Sequence, residues 1–280
     1  MSLIHFILNL VALLLWLNWR AGGMSAAMRP SVLSLASALK KADPPAPNRW
    51  LYLVALALLL LLRSVFYWQV GAPIRWTPAI QLGVIAPHFR SDFFGRMLLF
   101  SILSFGVVLA VFYLSLILLS ISNRSVPDSD PIQKIVRLQL GWLGRRSTTA
   151  QLLLPFLLAV TSWLALHRPL AGLGLISVSG SFTELAQQAV VLGLGAFLVW
   201  EYFIVAFLTA HVLNSYVYLG NSPVWNFVNA TARNLLRPIR WLPLEIGKAD
   251  LRPVVGIFLV LVIGHYGGGW LARLYQQPPL

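Results

Sequence analysis

Hydrophobic residues in this chain are gathered into long continuous runs separated by shorter polar stretches. A helix that crosses a membrane needs about 20 predominantly apolar residues. Runs of about that length lie at 3–19, 50–68, 93–121, 150–167, within 185–213, and at 254–274. The pattern therefore predicts an all-α fold, a polytopic membrane helix bundle of five or six transmembrane helices. The count stays open because the fourth run contains Pro155 and precedes a glycine-rich piece, 172–180, that could be re-entrant or interfacial.

Composition excludes the main alternatives to a membrane protein. Hydrophobic residues make up 58% of the 280 residues and charged residues only 10%, whereas soluble domains carry about 25% charged residues. A soluble fold of this size could not bury so much apolar surface, and a disordered chain would not contain such runs. The chain has no cysteine, so disulfides and cysteine-ligated zinc, haem or iron–sulfur groups are excluded.

The remaining charge is strongly basic, with a net charge of +13. Of the 21 Lys and Arg residues, 15 lie in the loops that follow the first, third and fifth runs. The positive-inside rule places these loops in the cytoplasm and, with six crossings, both termini outside. We therefore expect a multi-pass protein of the inner (plasma) membrane. Lipid headgroups and topology account for the basic residues, so we expect the lipid bilayer and no nucleic acid as a partner.

Polar stretches between the runs carry amphipathic helical patterns. Apolar side chains recur at helical spacing within 132–143 and within 224–236, which predicts interfacial helices, the first anchored by Trp142. A further short interfacial helix is expected around 30–41, in the linker between the first two runs.

The most specific motif lies near the end of the chain. Residues 235–240 read Leu-Leu-Arg-Pro-Ile-Arg and include Arg237 and Arg240, and a Gly-x-x-Asp-x-x-Pro stretch with Asp250 opens the sixth run. This order resembles the YggT family, which includes the YlmG proteins and has a Pro-Ile-Arg stretch followed by Gly-x-Asp-x-Ser-Pro. An extra residue precedes Asp250, and Arg252 stands where that family has a small polar residue, so the resemblance implies a divergent branch.

Many members of that family contain two copies, and a weaker first copy is found here. Arg63 begins an Arg-Ser-Val-Phe-Tyr-Trp stretch that ends the second run, and Asp92 precedes the third run as Asp250 precedes the sixth. Six crossings would make the copies inverted repeats, whereas a fourth segment that enters and returns would make them parallel. The predicted segments are an N-terminal transmembrane helix and polar linker (1–49), a first copy (50–122), an amphipathic linker with the fourth membrane segment (123–189), and a second copy (190–280).

Glu201 is the polar residue most in conflict with its surroundings. It lies in the middle of the fifth run, where an ionisable side chain costs at least ~2.5 kcal/mol unless it is paired or protonated. One interpretation is a structural pair or hydrogen bond with Arg63, His211 or Asn214. A proton or ion site and a contact with a partner subunit are the alternatives.

Two aspartates sit just before predicted spanning helices. Asp92 and Asp250 are expected to cap these helices by accepting free main-chain N–H groups. The alternative is a cation or proton site shared by the two copies.

The residues contain no nucleophile–base arrangement, phosphate-binding loop or carboxylate pair. We therefore predict that the chain is not an enzyme and that it uses no cofactor or metal. The family resemblance implies a scaffold, assembly or accessory factor for a membrane complex, with a membrane-protein partner or a second copy of the chain. The alternatives are a small transporter or channel with a site near Glu201, and an accessory subunit of a respiratory or photosynthetic complex.

Overall fold

The computed structural model describes residues 2–22, 48–125, 130–176, 180–217, 220, 222–246 and 249–277. The predicted interfacial helix around 30–41 and part of the glycine-rich piece after the fourth run lie outside these residues. Residues 247–248, at the start of the Gly-x-x-Asp-x-x-Pro stretch, also lie outside them.

The described chain is built almost entirely from α-helices, which confirms the predicted fold class. The helices are α1 (Ser2–Gly22), α2 (Arg49–Gly71), α3 (Phe94–Ser122), α4 (Pro131–Leu140), α5 (Thr148–Gly172), α6 (Phe182–Gly195), α7 (Val199–Tyr216), α8 (Pro223–Leu235) and α9 (Arg252–Gln276). Single 3-10 turns lie at Leu143–Arg145, Ala196–Leu198 and Arg237–Ile239.

In the described part of the chain, six helical segments are long and apolar enough to cross a membrane. Five of them are α1, α2, α3, α5 and α9, and the sixth is the combined segment Phe182–Tyr216, which joins α6 and α7. The fourth run therefore forms one continuous helix of 25 residues, although Pro155 and Pro169 lie inside it. Proline is tolerated there because neighbouring groups in a bundle can satisfy the freed carbonyls.

Short polar residues begin several of these helices. In each case the side chain accepts a hydrogen bond from a main-chain amide of the first turn, which stabilises a helix by about 1 kcal/mol. The capping residues are Asn48 for α2, Asp130 for α4, Ser147 for α5, Ser181 for α6 and Ser222 for α8.

The helices group into two compact units. The first contains Met1–Ile80 and Pro87–Val111, and the second contains Gln81–Ala86 and Phe112–Leu280. In the first unit α1, α2 and the first part of α3 pack around a core of Ala12, Leu56 and Phe105. The predicted division of the sequence into copies follows other boundaries and stays a prediction.

The connection from α2 to α3 forms a narrow hairpin over 76–91. In the first unit, the amide of Phe89 donates to the carbonyl of Pro78 at 2.8 Å, and the amide of Ser91 donates to the carbonyl of Trp76 at 3.2 Å. The hairpin tip, 81–86, belongs to the second unit and turns at Gly83, whose φ of +63° favours glycine.

In the second unit the two amphipathic helices pack against the spanning helices. Val136 and Leu140 of α4 are buried against Leu116 and Ile117 of α3. Ala232 of α8 and the following Leu236 are buried against Leu208 of α7. The predicted amphipathic patterns are therefore real, and protein covers a large part of both apolar faces.

A short two-stranded ribbon directly precedes the last spanning helix. Strands β1 (Glu245–Ile246) and β2 (Ala249–Asp250) pair antiparallel, with Glu245 opposite Asp250. The amide of Leu251 then donates to the carbonyl of Leu244 at 3.0 Å, so the chain leaves this ribbon directly into α9.

Candidate functional site

Polar side chains converge inside the first unit, where three apolar helices meet. Each helix contributes two of them at helical spacing, which places both on one face. We call this set the arginine cluster: His5 and Asn9 of α1, Arg63 and Tyr67 of α2, and Ser101 and Ser104 of α3.

Arg63 is the centre of the arginine cluster and is only 2% exposed. Its Nη1 donates to Oδ1 of Asn9 at 2.6 Å, and its Nη2 donates to the carbonyl of Ser101 at 2.8 Å. The guanidinium carbon lies 5.6 Å from the centre of the Tyr67 ring, within the range of a cation–π interaction. Its Nε is buried and has no hydrogen-bond partner among the described residues.

His5 continues the cluster toward the start of α1. Its Nδ1 lies 3.1 Å from the Tyr67 hydroxyl, and its Nε2 lies 3.0 Å from the Ser104 hydroxyl. The amide nitrogen of Asn9 donates to the Ser104 hydroxyl at 3.1 Å, so Asn9 links the histidine side of the cluster to the guanidinium. The Phe100 ring packs against His5, with ring centroids 5.2 Å apart.

Within the described residues, the arginine cluster holds its positive charge in the apolar interior on neutral acceptors. The ion pairs of the described chain join Asp92 to Arg90 and Arg96, and Asp250 to Arg252, all outside this cluster. An intramembrane arginine is expensive unless its donors are satisfied. The arrangement can therefore hold α1, α2 and α3 in one register, because each helix supplies hydrogen-bonding groups to side chains of the other helices.

The sequence interpretation named Arg63 as one of several groups that could pair with Glu201. In the first unit the bonds of Arg63 go to an amide oxygen and a main-chain carbonyl. His5, Asn9, Ser101 and Ser104 were missed as members of a site. Their spacing of four residues on α1 and three on α3 was the signal that could have found them.

Glu201 is half-buried in the first turn of α7. Its carboxylate packs against Gly264 of α9 so closely that a Cβ atom at position 264 would collide with it. Among the described residues we find no hydrogen bond or ion pair to this carboxylate. The proposed bonds to His211 and Asn214 are therefore not present: Nδ1 of His211 lies 2.9 Å from Oδ1 of Asn229, and Asn214 is half-buried further along α7.

The sequence did not predict that the fifth span tightens just before Glu201. The helix changes from α to a 3-10 turn at Ala196–Leu198 and returns to α at Val199. The hairpin tip lies against the start of this turn, since a Cβ atom at Gly83 would lie 3.1 Å from the carbonyl carbon of Gly195. Two glycines allow the main chains to approach this closely.

The two candidate aspartates differ in what they bind. Oδ1 of Asp250 accepts from the amide of Arg252, the first residue of α9, at 2.9 Å, from the position just before the N-cap residue Leu251. Its other carboxylate oxygen lies 3.9 Å from Nη1 of Arg252. Asp92 instead accepts from Nη1 of Arg96 at 3.0 Å and forms an ion pair with Arg90 at 3.2 Å. In the described structure the carboxylate of Asp92 therefore bonds to arginine side chains and to no main-chain amide.

The candidate arginines of the Pro-Ile-Arg stretch are exposed. Arg237 begins a 3-10 turn after α8, and Arg240 follows that turn. Neither side chain contributes to the buried core of the second unit.

A second buried polar group ties α3, α4 and α8 together, and we call it the amide network. The side chain of Asn123 donates to Oγ1 of Thr231 at 2.7 Å and accepts from the side chain of Asn234 at 2.9 Å. The side chain of Gln133 donates to the carbonyl of Asn123 at 3.2 Å. Asn123, Gln133 and Thr231 are all buried, and the network contains no charged group.

Among the described residues, no group of three or more His, Asp or Glu side chains could hold a metal ion. Comparisons with protein-family models, with curated proteins and with solved structures gave no match.

Proposed function

We propose that this membrane protein is a non-enzymatic scaffold, assembly or accessory factor that uses Glu201 to contact a partner helix. The observation that carries the proposal is the half-buried Glu201 carboxylate, for which the described chain supplies no hydrogen bond. A carboxylate that lacks a hydrogen bond in an apolar environment is costly. A donor from a partner membrane protein or from a second copy of the chain would remove that cost.

Exposed aromatic residues close in sequence to Glu201 and Gly264 support a protein partner. Tyr202, directly after Glu201, is 73% exposed, and Tyr266, two residues after Gly264 on α9, is 72% exposed. Aromatic side chains are enriched where protein surfaces associate. Interhelical hydrogen bonds from polar side chains also favour helix association in membranes.

A photocrosslinking amino acid at position 202 or 266 tests this proposal in the native membrane. We expect a discrete crosslink to one membrane protein, or to a second copy, that disappears in the Glu201→Leu variant. Position 158 on α5 is the control. Leu158 is also exposed, at 57%, and lies far in the sequence from any acidic residue. A crosslink pattern that is the same at 158 and at 202, together with a monomeric mass in mild detergent, would contradict the proposal.

A small transporter or channel with a site near Glu201 is the second candidate. It is favoured by the 3-10 turn at Ala196–Leu198 just before Glu201, because a 3-10 stretch inside a longer helix often marks a functional hinge. Flux of protons or monovalent cations into proteoliposomes tests it. A flux that Glu201→Gln abolishes, while the variant unfolds at the same temperature as the wild type, would favour transport over the scaffold role.

Finer assignments are also proposals. The resemblance to the YggT family supports two divergent copies, location in the inner (plasma) membrane and a role in complex assembly, with a respiratory or photosynthetic complex as one possible setting. The equivalent placement of Asp92 and Asp250 ahead of α3 and α9 supports the idea of two copies. Exchanging the connection between α2 and α3 with the connection that precedes α9 would test the idea of two copies, since equivalent copies should accept each other's connections.

A further inference from the structure

One exposed surface of the second unit combines three arginines with a tryptophan, and we call it the basic corner. It consists of Arg124 at the end of α3, Trp142 and Arg145 between α4 and α5, and Arg146, which follows them. All four side chains are exposed, Trp142 by 62%. The corner thus lies where one spanning helix ends and another begins.

Side-chain contacts hold the basic corner together. Nη1 of Arg124 donates to Oγ1 of Thr148 at 2.7 Å, so the end of α3 is joined to the first residue of α5. The guanidinium carbon of Arg146 lies 5.3 Å from the centre of the Trp142 ring. These contacts tie Arg124 to Thr148, two residues after Arg146, and orient the Arg146 guanidinium by an aromatic face.

The main chain beneath the corner is rigidly supported. Leu143 is buried in the core of the second unit, and its carbonyl accepts from the side chain of Gln151 at 3.0 Å. Gly141 has a φ of +59°, and a Cβ atom at Gly144 would lie 3.3 Å from the carbonyl oxygen of Arg137. The exposed side chains therefore project from a chain whose conformation is already set, which lowers the entropy cost of binding.

The charge of the corner is not balanced within the described chain. We find no carboxylate paired with Arg124, Arg145 or Arg146 among the described residues. Guanidinium groups match the geometry of phosphate oxygens and bind them through paired N–H donors. An exposed indole at the end of a spanning helix favours the headgroup level of a bilayer.

From this arrangement we propose that the basic corner binds the phosphate headgroup of an anionic phospholipid. The three guanidinium groups supply the donors for the phosphate oxygens. The Trp142 ring packs against the glycerol and upper acyl region, which a soluble phosphate ester lacks.

Lipid titration of the full-length protein, followed by native mass spectrometry, tests this site. The probes are phosphatidylglycerol and phosphatidylcholine, added separately to delipidated protein in a neutral detergent. In the double variant Arg145→Gln, Arg146→Gln we expect the apparent affinity for phosphatidylglycerol to fall about 25-fold, since each basic residue near an anionic surface contributes about a factor of five. The weaker affinity for phosphatidylcholine should stay within twofold.

The matched control is Arg237→Gln, Arg240→Gln, which removes the same charge from exposed positions elsewhere in the second unit. An equal loss in this control would show a diffuse charge effect and would overturn the proposal. Displacement of the lipid by millimolar glycerol phosphate would overturn it as well, because it would identify a site for soluble phosphate. Unchanged thermal unfolding of both double variants is expected, because all four arginines are exposed.

Discussion

The arginine cluster and the amide network both connect helices through buried hydrogen bonds, but the first contains a charge and the second does not. Both join three helices through buried polar side chains, and both contain residues that are almost fully buried. The arginine cluster is built around one charge, the Arg63 guanidinium, with only neutral acceptors. The amide network uses amides, a hydroxyl and a main-chain carbonyl and contains no charge.

Removing one bonding partner should therefore destabilise the protein by different amounts in the arginine cluster and in the amide network. A neutral network that loses a member leaves an unsatisfied amide or hydroxyl, which costs about 1–3 kcal/mol. A buried charge that loses an acceptor is uncompensated, and the cost then rises to about 3–5 kcal/mol. Arg63 should therefore be more sensitive to its neighbours than Asn123 is.

The largest effect is expected from Asn9→Leu in the arginine cluster. The substitution removes the Oδ1 acceptor of Arg63 and leaves the charge buried, so the free energy of unfolding should fall by about 3 kcal/mol. Reversible unfolding in mixed micelles measures it. Adding Arg63→Met should recover at least a third of the loss, and a double variant that is less stable than Asn9→Leu would contradict the idea that charge is the cause.

A smaller effect is expected in the amide network. Asn123→Leu removes one side-chain donor and one acceptor, to Thr231 and Asn234, and should cost about 1–2 kcal/mol. The control is Asn226→Leu on the exposed side of α8, which should change stability by less than about 0.5 kcal/mol. If Asn123→Leu costs as much as Asn9→Leu, the charged and neutral groups do not differ as we infer.

Glu201 offers a third case, a charge with no bonding partner in the described chain. Gly264→Ala places a methyl group where the carboxylate lies and should destabilise the protein by about 1 kcal/mol through overpacking. Gly267→Ala is the matched control, since no atom lies within 4 Å of its new Cβ, and it should be neutral. Adding Glu201→Ala to Gly264→Ala should restore stability, and a failure to do so would place the strain elsewhere.

The smallest effect is expected where a carboxylate lies outside the spanning helices. Asp250→Asn keeps an acceptor for the amide of Arg252 and should change stability by less than about 0.5 kcal/mol, whereas Asp250→Ala should cost about 1 kcal/mol. Thermal unfolding in detergent compares the two variants. A fully stable Asn variant that has lost its partner crosslink would show that the charge of Asp250, and not its capping bond, matters.

Much of the fold could be predicted from the sequence because hydrophobic length alone decides which segments can span a membrane. The structure confirms six such helices in the described chain, including the fourth, whose prolines left the count open. Two helix starts also carry a local signal, because Asp130 and Ser222 each cap a helix whose first residue is proline. These are local properties, and the chain carries them without any tertiary contact.

The residues of the candidate sites could be predicted from the sequence less completely than the fold. Arg63, Glu201 and Asp250 stood out because a charge in or beside an apolar run is unusual in any fold. The bonding partners of Arg63 did not stand out, since Asn9 and Ser101 are ordinary residues in their own helices. The 3-10 turn in the fifth span before Glu201 did not stand out, because Gly193 and Gly195 are equally compatible with a regular α-helix in a membrane.

By itself, then, the sequence determined that this is an all-α membrane protein, where its spanning helices lie and which side chains are out of place in them. Only the tertiary structure decided that Arg63 is held by neutral groups from α1 and α3, that the amphipathic faces of α4 and α8 pack against protein, and that Glu201 rests on Gly264. The physical reason is that the length of a hydrophobic segment and the capping of a helix depend only on neighbours along the chain. Hydrogen bonding in a low-dielectric interior depends instead on which distant side chains the packing brings within about 3 Å.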